Sequence, residues 1–142
     1  MSGGQDKTVK LWDLNAGRCI NTLSSHKDTI RCVQFDQDKI ISGSDDSTVK
    51  VYDAVEGEFT IKAHPDNKVT CLQFDKNKMV TGSSDSNMHV WSALGGEKLY
   101  TLRTQGGWVR CLQFNQDVLV SGHGDNNIRV WDFFNTARED EE

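Results

Sequence analysis

The chain has 142 residues, which is within the ~100–200 residues usual for one domain. Its net charge of −5 disfavours nucleic acid as the main partner, because binding a phosphate backbone needs a clustered positive surface. No apolar run approaches the ~18 residues of a membrane helix, and the N-terminus lacks the apolar segment of a signal peptide. We therefore expect one domain without a membrane or nucleic-acid partner, in the cytoplasm or also in the nucleus.

Two sequence patterns repeat along the chain. The first is SGGQDKTVKLWD at 2–13, and it returns as SGSDDSTVKVYD at 42–53, TGSSDSNMHVWS at 81–92 and SGHGDNNIRVWD at 121–132. Its aromatic positions, Trp12, Tyr52, Trp91 and Trp131, are spaced by 40, 39 and 40 residues. The second pattern recurs in phase at 29–42, 68–81 and 108–121. A fixed period of about 40 residues indicates stacked supersecondary units.

Each unit is predicted to contain four short strands. In the first full unit these are residues 30–35, 39–44, 48–52 and 58–61, separated by polar turns and by Gly57. Apolar residues do not alternate cleanly, as at 40–41 and 118–120, which is typical of a sheet covered on both faces. Radially stacked four-stranded antiparallel sheets meet this requirement. The prediction is an all-β partial β-propeller of about three and a half blades.

With these phased copies ending in Trp-Asp or a close variant, residues 2–134 resemble a WD-repeat protein. The resemblance implies a hydrogen-bonded structural network in each blade, made by a histidine before the first strand, a hydroxyl, a turn aspartate and an aromatic residue. The corresponding residues are His26, Ser42, Asp46 and Tyr52; His64, Thr81, Asp85 and Trp91; Ser121, Asp125 and Trp131, with Gln105 in the histidine position; and Ser2, Asp6 and Trp12.

A serine hydrolase using His26, Ser42 and Asp46 is the alternative function for the same residues. A hydrolytic site occurs once in a domain and needs an oxyanion hole. Here the set recurs at a fixed period and accepts threonine for serine, which favours satisfaction of buried polar groups, each worth ~1–3 kcal/mol. The sequence therefore predicts a non-catalytic protein.

The cysteines follow the same period, since Cys32, Cys71 and Cys111 occupy one position in successive first strands. Without a Cys-x-x-Cys pair they are predicted to be buried, reduced thiols, and no metal site is expected. Cys19 falls in a fourth strand and His89 in a third strand, and neither is assigned a role. No phosphate-binding glycine loop is present, so no cofactor is predicted.

The predicted units are a part-blade at 1–24, blades at 25–63 and 64–103, a part-blade at 104–134 and an acidic tail at 135–142. A propeller closes with ~4–8 blades. We expect this chain to be the C-terminal half of a longer propeller or a truncated product of its gene, with self-association as the alternative way to close the ring.

Short first-to-second turns, strands opening with IRC or VRC, and the ending VWDFFN are similar to the C-terminal propeller half of F-box/WD-repeat proteins, the substrate receptors of ubiquitin ligases. That resemblance implies a partner-binding face for a protein or phosphopeptide ligand, with guanidinium groups suited to phosphate. Its residues are Arg31, Arg110, Thr70, Trp108, Asp45, Ser84 and Gly124. Two alternatives are a solvated Arg31 neutralised by Asp45, and a WD-repeat domain of another multidomain protein, kinase-linked or in trafficking.

Overall fold

The computed structural model describes residues 1–136, which form fourteen strands and one short helix in four antiparallel sheets. The first sheet is β1 (Ser2–Gly3), β2 (Val9–Asp13) and β3 (Arg18–Leu23). The second is β4 (Ile30–Phe35), β5 (Lys39–Ser44), β6 (Thr48–Asp53) and β7 (Gly57–Lys62). The third is β8 (Val69–Phe74), β9 (Lys78–Ser83), β10 (Asn87–Ser92) and β11 (Lys98–Arg103). The fourth is β12 (Val109–Phe114), β13 (Val118–His123) and β14 (Ile128–Asp132), followed by α1 (Phe133–Thr136).

This architecture confirms the predicted all-β partial propeller. In the second sheet, β4 and β5 have the predicted bounds, whereas β6 and β7 are slightly longer than predicted. Two sheets have four strands and two have three among the described residues. We refer to the sheets as blades one to four in chain order. Residues 137–142 of the predicted acidic tail lie outside the described residues, and its first two positions belong to α1.

The turns between second and third strands share one backbone conformation. Lys7, Ser47, Ser86 and Asn126 each have a positive φ, between 65° and 73°. The aspartate before each of these residues accepts a hydrogen bond from the amide two residues after the aspartate, as when Thr48 N donates to Asp46 Oδ1 at 3.0 Å. Such an Asx turn satisfies backbone donors locally and fixes the hairpin.

Neighbouring blades pack through a glycine on one second strand and a valine on the next first strand. A Cβ built on Gly82 would lie 2.6 Å from Cys71 Sγ and 2.7 Å from Val109 Cγ1, so this close approach requires glycine. A glutamine adds a polar link between the blades: Gln73 Oε1 accepts from Phe114 N at 2.6 Å, and Gln73 Nε2 donates to Phe114 O at 2.9 Å. Gly43 and Gln34 repeat the arrangement between blades two and three.

The predicted burial of the three periodic cysteines is correct for Cys71, but Cys32 is half-buried and Cys111 is exposed. Burial raises the pKa of the Cys71 thiol to about 12. Cys111 lies beside Gly122 on a face that no further blade covers among residues 1–136, together with the exposed side chains of Val120 and Ile128. The repeat fixes the position of each thiol in its blade, but its burial depends on the neighbouring blade. All four cysteines are free.

Candidate partner-binding face

The polar network of blade two is centred on His26, whose imidazole is buried. Its Nε2 lies 2.7 Å from Ser42 Oγ and its Nδ1 lies 2.9 Å from Asp46 Oδ2. Asp46 also accepts from Lys27 N and from both the amide and the hydroxyl of Thr48. Burial opposes ionisation of Asp46, but these hydrogen bonds outweigh it and lower its pKa to about 2.

Blade three repeats this arrangement with threonine in place of serine. His64 Nε2 lies 2.9 Å from Thr81 Oγ1, and Nδ1 lies 3.2 Å from Asp85 Oδ2. Trp91 Nε1 donates to the same Thr81 oxygen at 3.0 Å. The carboxylate beside Nδ1 favours a proton on that nitrogen, so Nε2 accepts from the threonine hydroxyl. One hydroxyl thereby links the indole and the imidazole.

Blade four contains an imidazole that the sequence analysis missed. His123, on β13, places Nε2 2.8 Å from Ser121 Oγ, while Trp131 Nε1 donates to that oxygen at 3.0 Å. Gln105 is exposed and does not replace the missing histidine. The sequence signal was the tripeptide Ser-Gly-His, in which the histidine stands where blades two and three have serine. The expected role of Asp125 also differs, because it pairs with Arg129 at 2.7 Å, which lowers its pKa.

Two aromatic positions depart from the expected set. The Tyr52 hydroxyl lies 2.6 Å from Ser25 Oγ, because the polar atom of a phenol is farther from Cβ than the N–H of an indole. In blade one, Trp12 Nε1 donates to Ser2 Oγ at 2.9 Å, but this pair is exposed. Asp6 accepts from Thr8 N, and it has no hydrogen bond to an imidazole among residues 1–136.

The serine-hydrolase alternative is incompatible with this geometry. Ser42 has an exposed fraction of 0%, so a substrate carbonyl cannot reach its Oγ. The hydroxyls of Thr81 and Ser121 are equally buried and belong to separate blades. A catalytic nucleophile must contact its substrate as well as form a hydrogen bond to its base. Each of these hydroxyls has the hydrogen bond but is enclosed by its own blade, so it cannot contact a substrate.

His89 lies beside the blade-three network, although the sequence analysis assigned it no role. Its ring stacks on His64 with centroids 4.2 Å apart, and its Nδ1 lies 2.9 Å from Thr101 Oγ1. One donor atom from each of His64, Asp85 and His89 lies within 4.8 Å of the others, a set of residue types that can bind a transition metal. Both ring nitrogens of His64 already have protein partners, so the cluster is satisfied without an ion.

This stacked pair predicts a loss of stability in mild acid. Burial and then the charge of His64 lower the pKa of His89 from 6.5 to about 4, and burial lowers that of His64. Between pH 6.5 and about 4 the unfolded chain therefore binds more protons than the folded chain does. The free energy of unfolding decreases as the pH falls through that window. Urea unfolding at several pH values measures this. His89→Phe, which keeps a ring but cannot titrate, should have a flatter profile; an unchanged profile would contradict the assignment.

The predicted partner-binding residues lie at one end of the blades, in or beside the loops between second and third strands. Arg31 forms a bidentate pair with Asp45, Nε to Oδ1 at 2.9 Å and Nη2 to Oδ2 at 2.8 Å. Lys68 Nζ also approaches Asp45 Oδ2, at 3.4 Å. The hydrogen bonds from Arg31 hold the pKa of Asp45 below its usual value. Arg31 is thus largely neutralised, as the alternative interpretation anticipated.

Arg110 lies in a different environment. Its guanidinium carbon is 4.8 Å from the centroid of the Trp108 ring, and Lys68 Nζ is 5.6 Å from that centroid. The Trp108 and Arg110 side chains are exposed. Gly124 lies beside them, with its amide donating to Trp108 O at 2.9 Å. Two cations therefore lie within cation–π distance of one exposed indole ring.

The remaining two predicted residues have structural contacts. The Thr70 hydroxyl donates to the carbonyl oxygens of Gly82 and Val109, and Ser84 Oγ accepts from Lys68 N at 2.9 Å. Both side chains are half-buried. The end of blades two to four thus presents the group formed by Lys68, Trp108 and Arg110, which we call the indole–cation rim, next to the neutralised Arg31–Asp45 pair.

Radially packed antiparallel sheets with an internal polar network in successive blades define a β-propeller of the repeat type. The family model described as WD domain, G-beta repeat matches residues 1–13, 17–53, 57–92 and 96–132, and the chain therefore belongs to this family.

Relatives among curated proteins share the name mitochondrial division protein 1. The Aspergillus niger protein is 39% identical over 70 residues, which are 49% of this chain and 10% of that protein. The Neurospora crassa protein is 39% identical over 59 residues, 42% of this chain and 9% of that protein. The chain thus spans about a tenth of the length of these relatives.

Two solved structures of computationally designed proteins are similar to the whole architecture. The Ika4 protein has a TM-score of 0.81 and 31% identity over 92% of this chain and 82% of that chain. The Ika8 protein has a TM-score of 0.80 and 31% identity over 92% of this chain and 42% of that chain.

Proposed function

We propose that this chain is a non-catalytic interaction module that binds an acidic or phosphorylated peptide of a partner protein at the indole–cation rim. The observation that supports this most strongly is Arg110, an exposed guanidinium on the face of Trp108 without a carboxylate partner among the described residues. A guanidinium left without a carboxylate retains its donors for a phosphate, and the indole supplies apolar contact area. Tryptophan and arginine are also the residues enriched at interface hot spots.

Arg31 is expected to contribute less than Arg110. Its donors are already occupied by Asp45, and a phosphate would have to displace that carboxylate or accept its repulsion. Lys68 divides its interaction between Asp45 and the Trp108 ring. The rim therefore offers one fully available guanidinium and one partly available ammonium.

We predict that Arg110→Ala weakens binding of a phosphopeptide by ~1.5–3 kcal/mol, the range for a hydrogen bond to a charged group. Arg31→Ala should have a smaller effect because its partner Asp45 would remain to repel the phosphate. Fluorescence anisotropy with a labelled peptide containing two phosphothreonines measures both affinities. Arg18→Ala, an exposed arginine on the outer strand β3 at the opposite strand ends, is the matched control and should leave affinity unchanged. Equal affinity for phosphorylated and unphosphorylated peptide would remove the phosphate part of the proposal.

The more specific role that we propose is part of a substrate-recognition propeller of a ubiquitin ligase. Its support is the set of sequence features shared with F-box/WD-repeat proteins, together with the rim. The second candidate is an interaction domain within another multidomain protein, and the relatives named mitochondrial division protein 1 favour it. We expect both roles to use the same peptide-binding face, so the anisotropy experiment tests a property that the two would have in common.

A second partner surface is the uncovered face of blade four. Gly122 and Cys111 form the slot that Gly82 and Cys71 form in blade three, and there Val109 of the next blade fills it. Gln113, the counterpart of Gln73, is exposed on this face. We propose that this face receives another blade, from a longer propeller or a second copy of this chain.

No helix among residues 1–136 is long and apolar enough to cross a membrane. For localisation we propose the cytoplasm, or also the nucleus, where free cysteines such as these four persist.

A further inference from the structure

A groove of about 270 Å³ lies between blades two and three, at the strand ends opposite the indole–cation rim. Blade two contributes the side chains of Val51 and Phe59 to its lining, and blade three contributes Phe74 and Met79. Phe59 is 38% exposed, so part of this residue is open to solvent. The volume lies just below the range of ~300–1,000 Å³ for small-molecule pockets and suits a single side chain.

The corresponding seam between blades three and four contains an aromatic ring. Phe133 N donates to Asp117 O at 3.0 Å, and Ala93 N donates to Asn77 O at 3.1 Å, so Phe133 occupies in blade four the position of Ala93 in blade three. The Phe133 ring packs edge-to-face on Phe114, with centroids 6.1 Å apart and an interplanar angle of 89°. This geometry is a favoured arrangement of aromatic pairs.

A lysine of the preceding blade covers this aromatic pair. Lys78 Nζ lies 4.9 Å from the Phe114 centroid and 4.7 Å from the Phe133 centroid. Its counterpart in blade two, at the start of β5, is Lys39, which lines the groove. The groove thus has the aromatic floor and the lysine of the filled seam, but Ala93 stands where the filled seam has a phenyl ring.

We propose that this groove binds an aromatic side chain from an extended peptide segment of a partner protein, beside Phe74 and beneath Lys39. The edge of the groove favours basic residues on either side of that aromatic residue, because it has three carboxylates and two ammonium groups. These are Asp36, Asp38, Asp75, Lys39 and Lys76. Lys39 is paired with Asp53 at 3.4 Å, and Asp75 is paired with Lys78 at 3.5 Å. The two remaining carboxylates and Lys76 leave the edge of the groove with a small negative excess. This site is separate from the indole–cation rim and does not depend on it.

Methyl NMR of the 142-residue protein can test the proposal directly. The sequence has three methionines, and one of them, Met79, lines the groove. The probe is the peptide acetyl-Gly-Lys-Ser-Phe-Ser-Lys-Gly-amide, and its counterpart with alanine for phenylalanine is the control. The aromatic peptide should shift the Met79 methyl signal in a saturable manner. The Met88 methyl, which is fully buried in the blade-three to blade-four core, should remain unchanged.

Ala93→Phe should keep the fold and fill the groove with a phenyl ring, as Phe133 does in blade four. It should weaken peptide binding at least about tenfold, the loss expected when one apolar side chain is no longer buried. Ala54→Phe, the same change in blade two, is the matched control and should retain binding. Lys39→Met should weaken binding several-fold and serves if Ala93→Phe fails to fold. The proposal is overturned by equal Met79 shifts with both peptides, by undiminished binding to Ala93→Phe, or by loss of binding in Ala54→Phe alone. Peptide-independent Met79 shifts with protein concentration would identify a second copy as the occupant instead.

Discussion

Gly82→Ala should destabilise the protein by ~1–3 kcal/mol, the usual cost of overpacking a close-packed interior. The added methyl group would lie 2.6 Å from Cys71 Sγ, 2.7 Å from Val109 Cγ1 and 3.0 Å from Val109 Cβ. Both neighbours are buried, so neither can move without disturbing the seam between blades three and four. Urea unfolding followed by tryptophan fluorescence gives the free energy of unfolding for comparison with the unmodified chain.

Gly122→Ala is the matched control for this substitution. Gly122 occupies the same position in blade four, but its added methyl group would meet Cys111 Sγ alone, at 2.8 Å, and Cys111 is exposed and free to turn away. We expect the free energy of unfolding to change by no more than about 1 kcal/mol. Alanine also lowers the conformational entropy of the unfolded chain, which favours the folded state. Equal destabilisation by the two substitutions would show that packing between blades does not determine the requirement for glycine.

Thr81→Val is expected to have the larger effect, a loss of ~2–6 kcal/mol. Valine has nearly the shape of threonine, but it leaves the imidazole Nε2 of His64 and the indole N–H of Trp91 without a partner in a buried site. Each unsatisfied buried polar group costs ~1–3 kcal/mol, and two such groups result from this one substitution. Thermal and urea unfolding measure the effect.

Thr60→Val tests whether this loss is specific to the buried network. Thr60 lies on the outer strand β7, is exposed, and accepts from Lys50 Nζ at 2.7 Å. Its replacement should change stability by no more than ~0.5 kcal/mol, as for most surface positions. A similar loss at both threonines would assign the effect to strand propensity rather than to the network.

The repeat period was sufficient to predict the strands, because local signals agree in every copy. The aspartate turn before Ser47, the glycine at the start of β7 and the apolar pattern of β4 and β5 all indicate the positions of the strands. The same period predicted which hydroxyl would meet which histidine in blades two and three. These contacts lie within one blade, so the sequence of that blade determines them.

Contacts that depend on a neighbouring blade or on side-chain length were beyond this reasoning. Cys111 has the sequence context of Cys71, but it is exposed because no blade within the described part of the chain packs on it. His123 replaces the absent imidazole of blade four from the second strand and not from the loop before the first strand, so a search at the usual histidine position could not find it. The groove at Ala93 became recognisable only when Phe133 was seen to fill the equivalent space one blade further on.

The central claim is that each buried hydroxyl holds its own blade together and takes no part in a reaction. Removing a group at a functional site is often neutral or stabilising, whereas removing a structural hydrogen bond is costly. The free energy of unfolding of Ser42→Ala, Thr81→Val and Ser121→Ala, measured in one urea series, tests this most directly. All three variants should lose more than ~1 kcal/mol, because every hydroxyl satisfies a buried imidazole in a separate blade. Unchanged or increased stability in any of them would contradict the claim for that blade.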